Sequence, residues 1–374
     1  MYHYKVHHST LTSKRSNNII VSPQEEDNFQ SLLTKHNITF RLYDENVQET
    51  LDQEEKILGR SNSKKQYDWT TYHTLEETYD WMKNLSNTYP EYIELLSAGS
   101  TYEGREILGV KISYKSENNK GVLIEGGIHA REWISPATTT YILNELLHST
   151  DSRIRYIAEN FNWYIFPHTN PDGYVYTHTK DRLWRKTRSY NGNYRCLGVD
   201  PNRNFDYHWN EQGTSSNPCS DAYAGKEPFS EIETRTFSNF ISSLRGKINI
   251  YISFHSYSQL LLFPYGYTDK RAPNHDDLQK IGDIAASALS KRYGTQYKVG
   301  NIYETIYPAS GSSIEWAYDI ENIKLSYCYE LRPKSSSFGW NGFILPPNQI
   351  IPTGQEIIDS LIALLDEGKR LNYF

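Results

Sequence analysis

Contiguous apolar runs alternate along this chain with stretches in which apolar residues recur every three or four positions. The contiguous runs, rich in β-branched and aromatic residues, predict buried strands near 106–114, 121–126, 161–166, 248–254 and 324–330. Between them lie helical patterns. Three helix starts carry the capping-box signature of Thr or Ser followed three residues later by Glu: Thr74 with Glu77, Ser230 with Glu233, and Thr353 with Glu356. Such alternation predicts an α/β sandwich. The N-terminal part reads differently, as a strand-helix-strand unit. Its pieces are Ile19-Ile-Val-Ser-Pro, a helix from Glu25 to Lys35 with Phe29, Leu32 and Leu33 on one face, and then Ile38-Thr-Phe-Arg-Leu-Tyr and Asn46-Val-Gln. A polar stretch from Gln53 to Asp68, holding Arg60, Lys64 and Lys65, predicts an exposed linker that proteases can reach.

Composition narrows the classes. At 374 residues the chain exceeds one average domain, and 37% hydrophobic with 14% aromatic content is enough for a large core. A net charge of −6 leaves no footprint for nucleic acid. No apolar stretch approaches the roughly 20 residues of a membrane span.

Candidate chemistry sits where the predicted strands end. In Gly126-Gly-Ile-His-Ala-Arg-Glu-Trp, His129 and Glu132 follow the strand Val122 to Glu125, and His255 closes the strand Ile248 to Phe254. In open α/β sheets ligands bind outside the carboxyl ends of strands, so these positions are coherent. A catalytic zinc takes three protein ligands from histidine nitrogen and carboxylate oxygen, and keeps a position for water. Glu330, at the end of Lys324 to Tyr329, is placed to take a proton from that water. Each residue has a plainer reading. A lone histidine at a strand end is more often a hydrogen-bonded core or rim residue than a ligand, and Glu132 alone could favour the N-terminus of the next helix. Arg182, Arg185, Lys186 and Arg188 would ordinarily be a solvated basic patch. His7, His8, His73, His168 and His208 stay with the plain reading.

From Tyr72 to the C-terminus the chain resembles the zinc metallocarboxypeptidases of the carboxypeptidase A/B type. The resemblance rests on Ser100-Tyr-Glu-Gly-Arg, Gly127-Ile-His-Ala-Arg-Glu-Trp, Arg182-Leu-Trp-Arg-Lys-Thr-Arg-Ser, Asp200-Pro-Asn-Arg-Asn, His255-Ser-Tyr-Ser-Gln, Ile306-Tyr-Pro-Ala-Ser-Gly and Tyr329-Glu-Leu-Arg, all in order. It implies a mixed, largely parallel eight-stranded sheet with helices on both faces, preceded by a small and incomplete α+β propeptide. The expected domains are a propeptide remnant with activation linker at 1–65 and a catalytic domain at 66–374. One zinc ion is expected on His129, Glu132 and His255, with Glu330 as general base and Arg185 as oxyanion partner. Arg203, helped by Asn202 and Tyr307, would clamp the substrate carboxylate, while Arg131, Ser256, Tyr257 and Phe343 would make further substrate contacts. Ile314 stands where relatives that remove lysine or arginine carry aspartate, so aromatic and large aliphatic C-terminal residues are expected to be preferred. Ser312 and the stretch from Lys334 to Trp340 are expected to shape the pocket, and Glu315 to be structural.

The resemblance also implies a disulfide between Cys196 and Cys219, which flank a loop rich in glycine, asparagine and serine. Cys328, inside a strand, reads as a small buried apolar residue. The first eight residues show no apolar core of a secretory signal; the cysteine pair and the resemblance nevertheless lead to an expectation of secretion. The expected partners are peptide or protein C-termini and an activating trypsin-like protease, with the protein itself a monomer. Two other classes remain at this level, a catalytically dead binding protein of the same fold and a zymogen that serves as a partner-binding or storage form.

Overall fold

A computed structural model describes residues 4–6, 19–40, 42, 46–59, 66–114, 119–192, 194–334 and 341–374. Short strands β1 (Tyr4–Val6) and β2 (Ile19–Val21) pair antiparallel, and helices α1 (Glu26–Lys35) and α2 (Val47–Gly59) follow. The rest of the chain runs α3 (Leu75–Thr88), β3 (Ile93–Ser100), β4 (Glu106–Ile112), β5 (Lys120–Glu125), α4 (Ile134–His148), α5 (Ser152–Asn160), β6 (Phe161–Phe166), α6 (Pro171–Thr179), α7 (Ile232–Ser243), β7 (Ile248–Ser256), β8 (Leu260–Phe263), α8 (His275–Tyr293), β9 (Lys298–Asn301), α9 (Ile302–Thr305), α10 (Ser313–Asp319), β10 (Leu325–Leu331) and α11 (Ile350–Arg370).

The large sheet has the order β3-β4-β6-β5-β7-β10-β8-β9. Its central strands β6, β5, β7 and β10 are mutually parallel, and antiparallel pairings occur toward the edges. The mixed eight-stranded expectation holds. Side chains alternate across each strand. Val122, Ile124, Ile250, Ile252 and Tyr327 pack on one face with α3, α4, α8 and α11. Leu123, Tyr251 and Cys328 pack on the other with α7 and α10. Helices on both faces explain why the central strands read as unbroken apolar runs rather than alternating ones.

Three details depart from expectation. Asn46-Val-Gln is not a strand: Val47 opens α2, which runs into the stretch expected to be linker. Val47 and Leu51, one helical turn apart, pack beside Leu183, Phe343 and Ile344, so a helix buries what the short window suggested as extended. Ile38–Phe40 carry no strand either. The cleavage candidates Arg60, Lys64 and Lys65, like His7, His8, the stretch between Ser9 and Asn18, and residues 335–340 of the pocket-shaping stretch, lie outside the described residues.

The capping box of Thr74 and Glu77 forms as read. That of Ser230 and Glu233 does not, because Glu233 instead accepts the Tyr102 backbone N–H at 3.0 Å. Helix α11 begins at Ile350, ahead of Thr353; there Thr353 donates to the Gln349 carbonyl and Glu356 pairs with Arg332.

Candidate metal and substrate site

The metal candidates meet because two central strands end side by side. After β5 the chain turns at Gly127, whose φ of 66° suits glycine and whose absent Cβ would lie 2.9 Å from the Pro167 carbonyl. That turn delivers His129 and Glu132 just ahead of α4. β7 delivers His255. His129 Nδ1 lies 2.9 Å from Glu132 Oε1, while His255 Nδ1 lies 3.0 Å both from Glu132 Oε2 and from His129 Nδ1. All three residues are at most 3% exposed, and among the described residues they form the one cluster able to hold a metal ion.

Two imidazole nitrogens facing one another beside a carboxylate fit a divalent cation. Ligand bonds of about 2.0–2.1 Å in tetrahedral geometry place neighbouring donor atoms roughly 3.3 Å apart, close to the separations found. His129 Nε2 is 3.0 Å from Asp200 Oδ1. With the proton held there, the Nδ1 lone pair is left for the metal. Burial alone would raise the Glu132 carboxyl, but the two facing imidazoles hold it well below the usual range. Asp200 behaves likewise: burial is outweighed by Arg185, His129 and Arg203.

Glu330 stands beside His255 in the parallel register of β10 and β7. Although it sits at the rim and is partly exposed, desolvation by the surrounding protein pushes its carboxyl up to about 8, and nearby Glu132 adds to the rise. Arg185 is buried and donates from Nε and Nη2 to Asp200 Oδ2, at 3.1 and 2.7 Å, with Nη1 3.7 Å from Glu132 Oε1. Asp200 therefore orients a ligand and an arginine together. Its part was not assigned from the sequence; the only signal was its place in Asp200-Pro-Asn-Arg-Asn.

The substrate candidates fall into two groups. On one side, Asn202 accepts the Ser313 N–H, and Arg203 donates to the Gly213 and Asn202 carbonyls at 3.0 and 2.7 Å. The Arg203 guanidinium lies 5.9 Å from the Tyr307 ring, and Ile314 is buried on the same face of the sheet. On the other side, Arg131 stacks on Phe343 at 4.4 Å, pairs with Asp221 at 2.9 Å and donates to the Leu183 carbonyl, while Tyr257 packs edge-on against Phe343. Ser256 donates its backbone N–H to Glu132. Ser312 turns its hydroxyl to Glu315, which also accepts two backbone N–H groups, so that pair secures a loop.

A contact missed in the sequence joins the N-terminal unit to this region. Glu54 of α2 pairs with Arg182 at 2.6 Å, both largely buried. Arg182 also donates to the Arg131 and Phe343 carbonyls and stacks on Trp133. Cys196 and Cys219 form the disulfide, and Cys328 is buried and free. His73 and His208 each pair with a nearby glutamate, and His168 is buried away from the cluster. Among the described residues, no helix is long and apolar enough to cross a membrane.

A family model described as zinc carboxypeptidase matches residues 78–360, and one described as carboxypeptidase activation peptide matches residues 4–54. The zinc carboxypeptidase of Simulium vittatum is 61% identical over 81% of this chain and 98% of its own length. Zinc carboxypeptidase A 1 of Anopheles gambiae is 53% identical over 95% of this chain and 81% of its own. The crystal structure of carboxypeptidase A from Helicoverpa armigera superposes with a TM-score of 0.89 at 28% identity, covering 99% of this chain and 92% of that one.

Proposed function

The chain belongs to the zinc carboxypeptidase family, with an activation peptide ahead of the enzyme, and from this premise we propose how its residues divide the work of removing a C-terminal residue. The convergence of His129, Glu132 and His255 carries the reading. His129, Glu132 and His255 would hold a zinc ion, which would supply Lewis-acid polarisation and make water there easier to deprotonate. Glu330 takes the proton from the attacking water and returns it to the leaving amine. Arg185, aligned by Asp200, stabilises the negative charge that grows on the scissile carbonyl oxygen. Arg203, Asn202 and Tyr307 hold the free carboxylate, for which a planar guanidinium is suited. Arg131, Ser256, Tyr257 and Phe343 contact the residues upstream of the cut.

Ile314 lines the pocket for the departing side chain. An apolar wall there leaves a buried cation unpaired, so aromatic and large aliphatic residues are preferred over lysine and arginine. We place the activation segment at 1–65 and the enzyme at 66–374. In the uncut chain α2 lies against Phe343 and holds Arg182 through Glu54, beside the upstream contacts. Cleavage after Arg60, Lys64 or Lys65 by a trypsin-like protease frees them. The enzyme works as a secreted monomer.

The test is release of the last residue by trypsin-processed, zinc-loaded protein from blocked dipeptides ending in phenylalanine or arginine. Release from the phenylalanine substrate is expected. If both substrates stay intact the enzyme reading fails; release from the arginine substrate alone overturns the preference.

A further inference from the structure

One step back along the strands from His255 and Glu330, on the same face, the sheet carries a second polar row that the reaction leaves unused. Cys328 stands beside Ser253, and Ser253 beside Glu125, across β10, β7 and β5. Alternation sends this row to the face where Leu123, Tyr251, Cys328 and Ile314 pack. The row therefore shares its face with Ile314, the proposed wall of the side-chain pocket. Glu125 is fully buried, and its Oε1 accepts the hydroxyl of Ser313, the residue preceding Ile314, at 2.6 Å. Its Oε2 makes no hydrogen bond of full geometry, nor do Ser253 Oγ and the Tyr251 hydroxyl, the neighbouring donor.

A buried carboxylate oxygen without a well-formed hydrogen bond is costly, and its contact with the residue preceding Ile314, the proposed pocket wall, gives it a use. We infer that Glu125 is a specificity-determining residue: its free carboxylate oxygen accepts a hydrogen bond from the tip of the departing side chain, so that C-terminal tyrosine is favoured over phenylalanine. Acidic C-terminal residues are rejected by the same group. Burial, together with neighbouring Glu125, raises the Tyr251 phenol well above its ordinary value, so it stays protonated as the resident donor beside Glu125, the place the substrate hydroxyl takes when bound.

This rests on the carboxypeptidase reading, and the experiment separates the two. Processed, zinc-loaded protein is assayed for kcat/KM on blocked dipeptides identical except for a final Tyr, Phe or Lys. The Tyr-to-Phe ratio, which cancels any loss of active fraction, is expected at roughly 10 or more, the scale of one hydrogen bond to a charged group. It falls toward one in Glu125→Leu, and part of the way in Glu125→Gln, which keeps the shape and the Ser313 contact if the leucine variant does not fold. A ratio near one in the parent, with the Phe substrate cleaved, overturns this inference and leaves the enzyme reading intact. Fastest cleavage of the Lys substrate also overturns it, because Glu125 would then be pairing a cation. No cleavage of any substrate defeats the reading beneath it.

Discussion

Glu132 and Glu330 are two carboxyls in one cleft driven in opposite directions. Imidazoles facing Glu132 hold it ionised and ready to bind a cation, whereas desolvation raises the proton affinity of Glu330, the direction a proton acceptor needs. Environments that separate two carboxyls in this way divide their roles. Glu330→Gln should cut kcat by about 100-fold or more while zinc content, measured by atomic absorption, stays at one per chain; loss of metal would reassign Glu330 as a ligand. His129→Ala should lose the zinc. At this scale the site was largely legible, because His129, Glu132, His255 and Glu330 announce themselves as ionisable groups where apolar strands stop. Asp200 was not, since its value lies in reaching behind His129 and Arg185 at once, which chain order does not display.

Among the elements, the central strands were readable because burial on both sides leaves an unbroken apolar run. β8 and β9, four residues each, are too short to show a period, and β3 is a partly exposed edge. Helix α2 was misread because its apolar residues are sparse among Glu and Gln, and only docking on Phe343 reveals their face. Breaking the buried Glu54–Arg182 pair should loosen that docking, although Arg182 keeps its two carbonyl partners. Glu54→Gln should therefore shorten, several-fold, the lag between adding trypsin and the onset of peptidase activity. An unchanged lag would show that the pair does not retain the segment.

Helix α6 gives a pH prediction. His178, half-buried and stacked on Trp133, and nearby buried His168 are both lowered to about 3 by desolvation, with Arg182 adding to the effect on His178 and His178 to that on His168. The unfolded chain protonates these rings below about 6.5 and the folded chain does not until about 3. The unfolded state thus binds more protons across that window, and stability falls as pH drops from 6.5 toward 3, by roughly 1.4 kcal/mol per pH unit per histidine. His178→Phe should flatten the decline in melting temperature between pH 6.5 and 4.5; a parallel decline would rule out this cause.

For the whole molecule, two cores on either side of one sheet hold the cleft, and the surrounding loops are secured individually. The Cys196–Cys219 bridge closes a separation of 23 residues, worth about 3 kcal/mol in the chain-entropy model. The bridged loop also offers the Pro218 carbonyl to Lys186, and Asp221, two residues beyond the bridge, pairs with Arg131. Replacing both cysteines by serine should lower the melting temperature by roughly 5–10 °C and raise KM more than it lowers kcat. An unchanged melting temperature would place the loop outside the cooperative unit.

Among the described residues, the seat of α2 on the enzyme includes two apolar side chains and one ion pair. While the linker is intact, this contact is made at an effective concentration in the millimolar range, because the tether never lets the segment leave. Once the linker is cut, the same contact must compete with dilution. Activation then has two stages, scission and escape, and the second depends on how much protein is present: crowded product holds back its own activity, and diluting it releases more enzyme without any further cut.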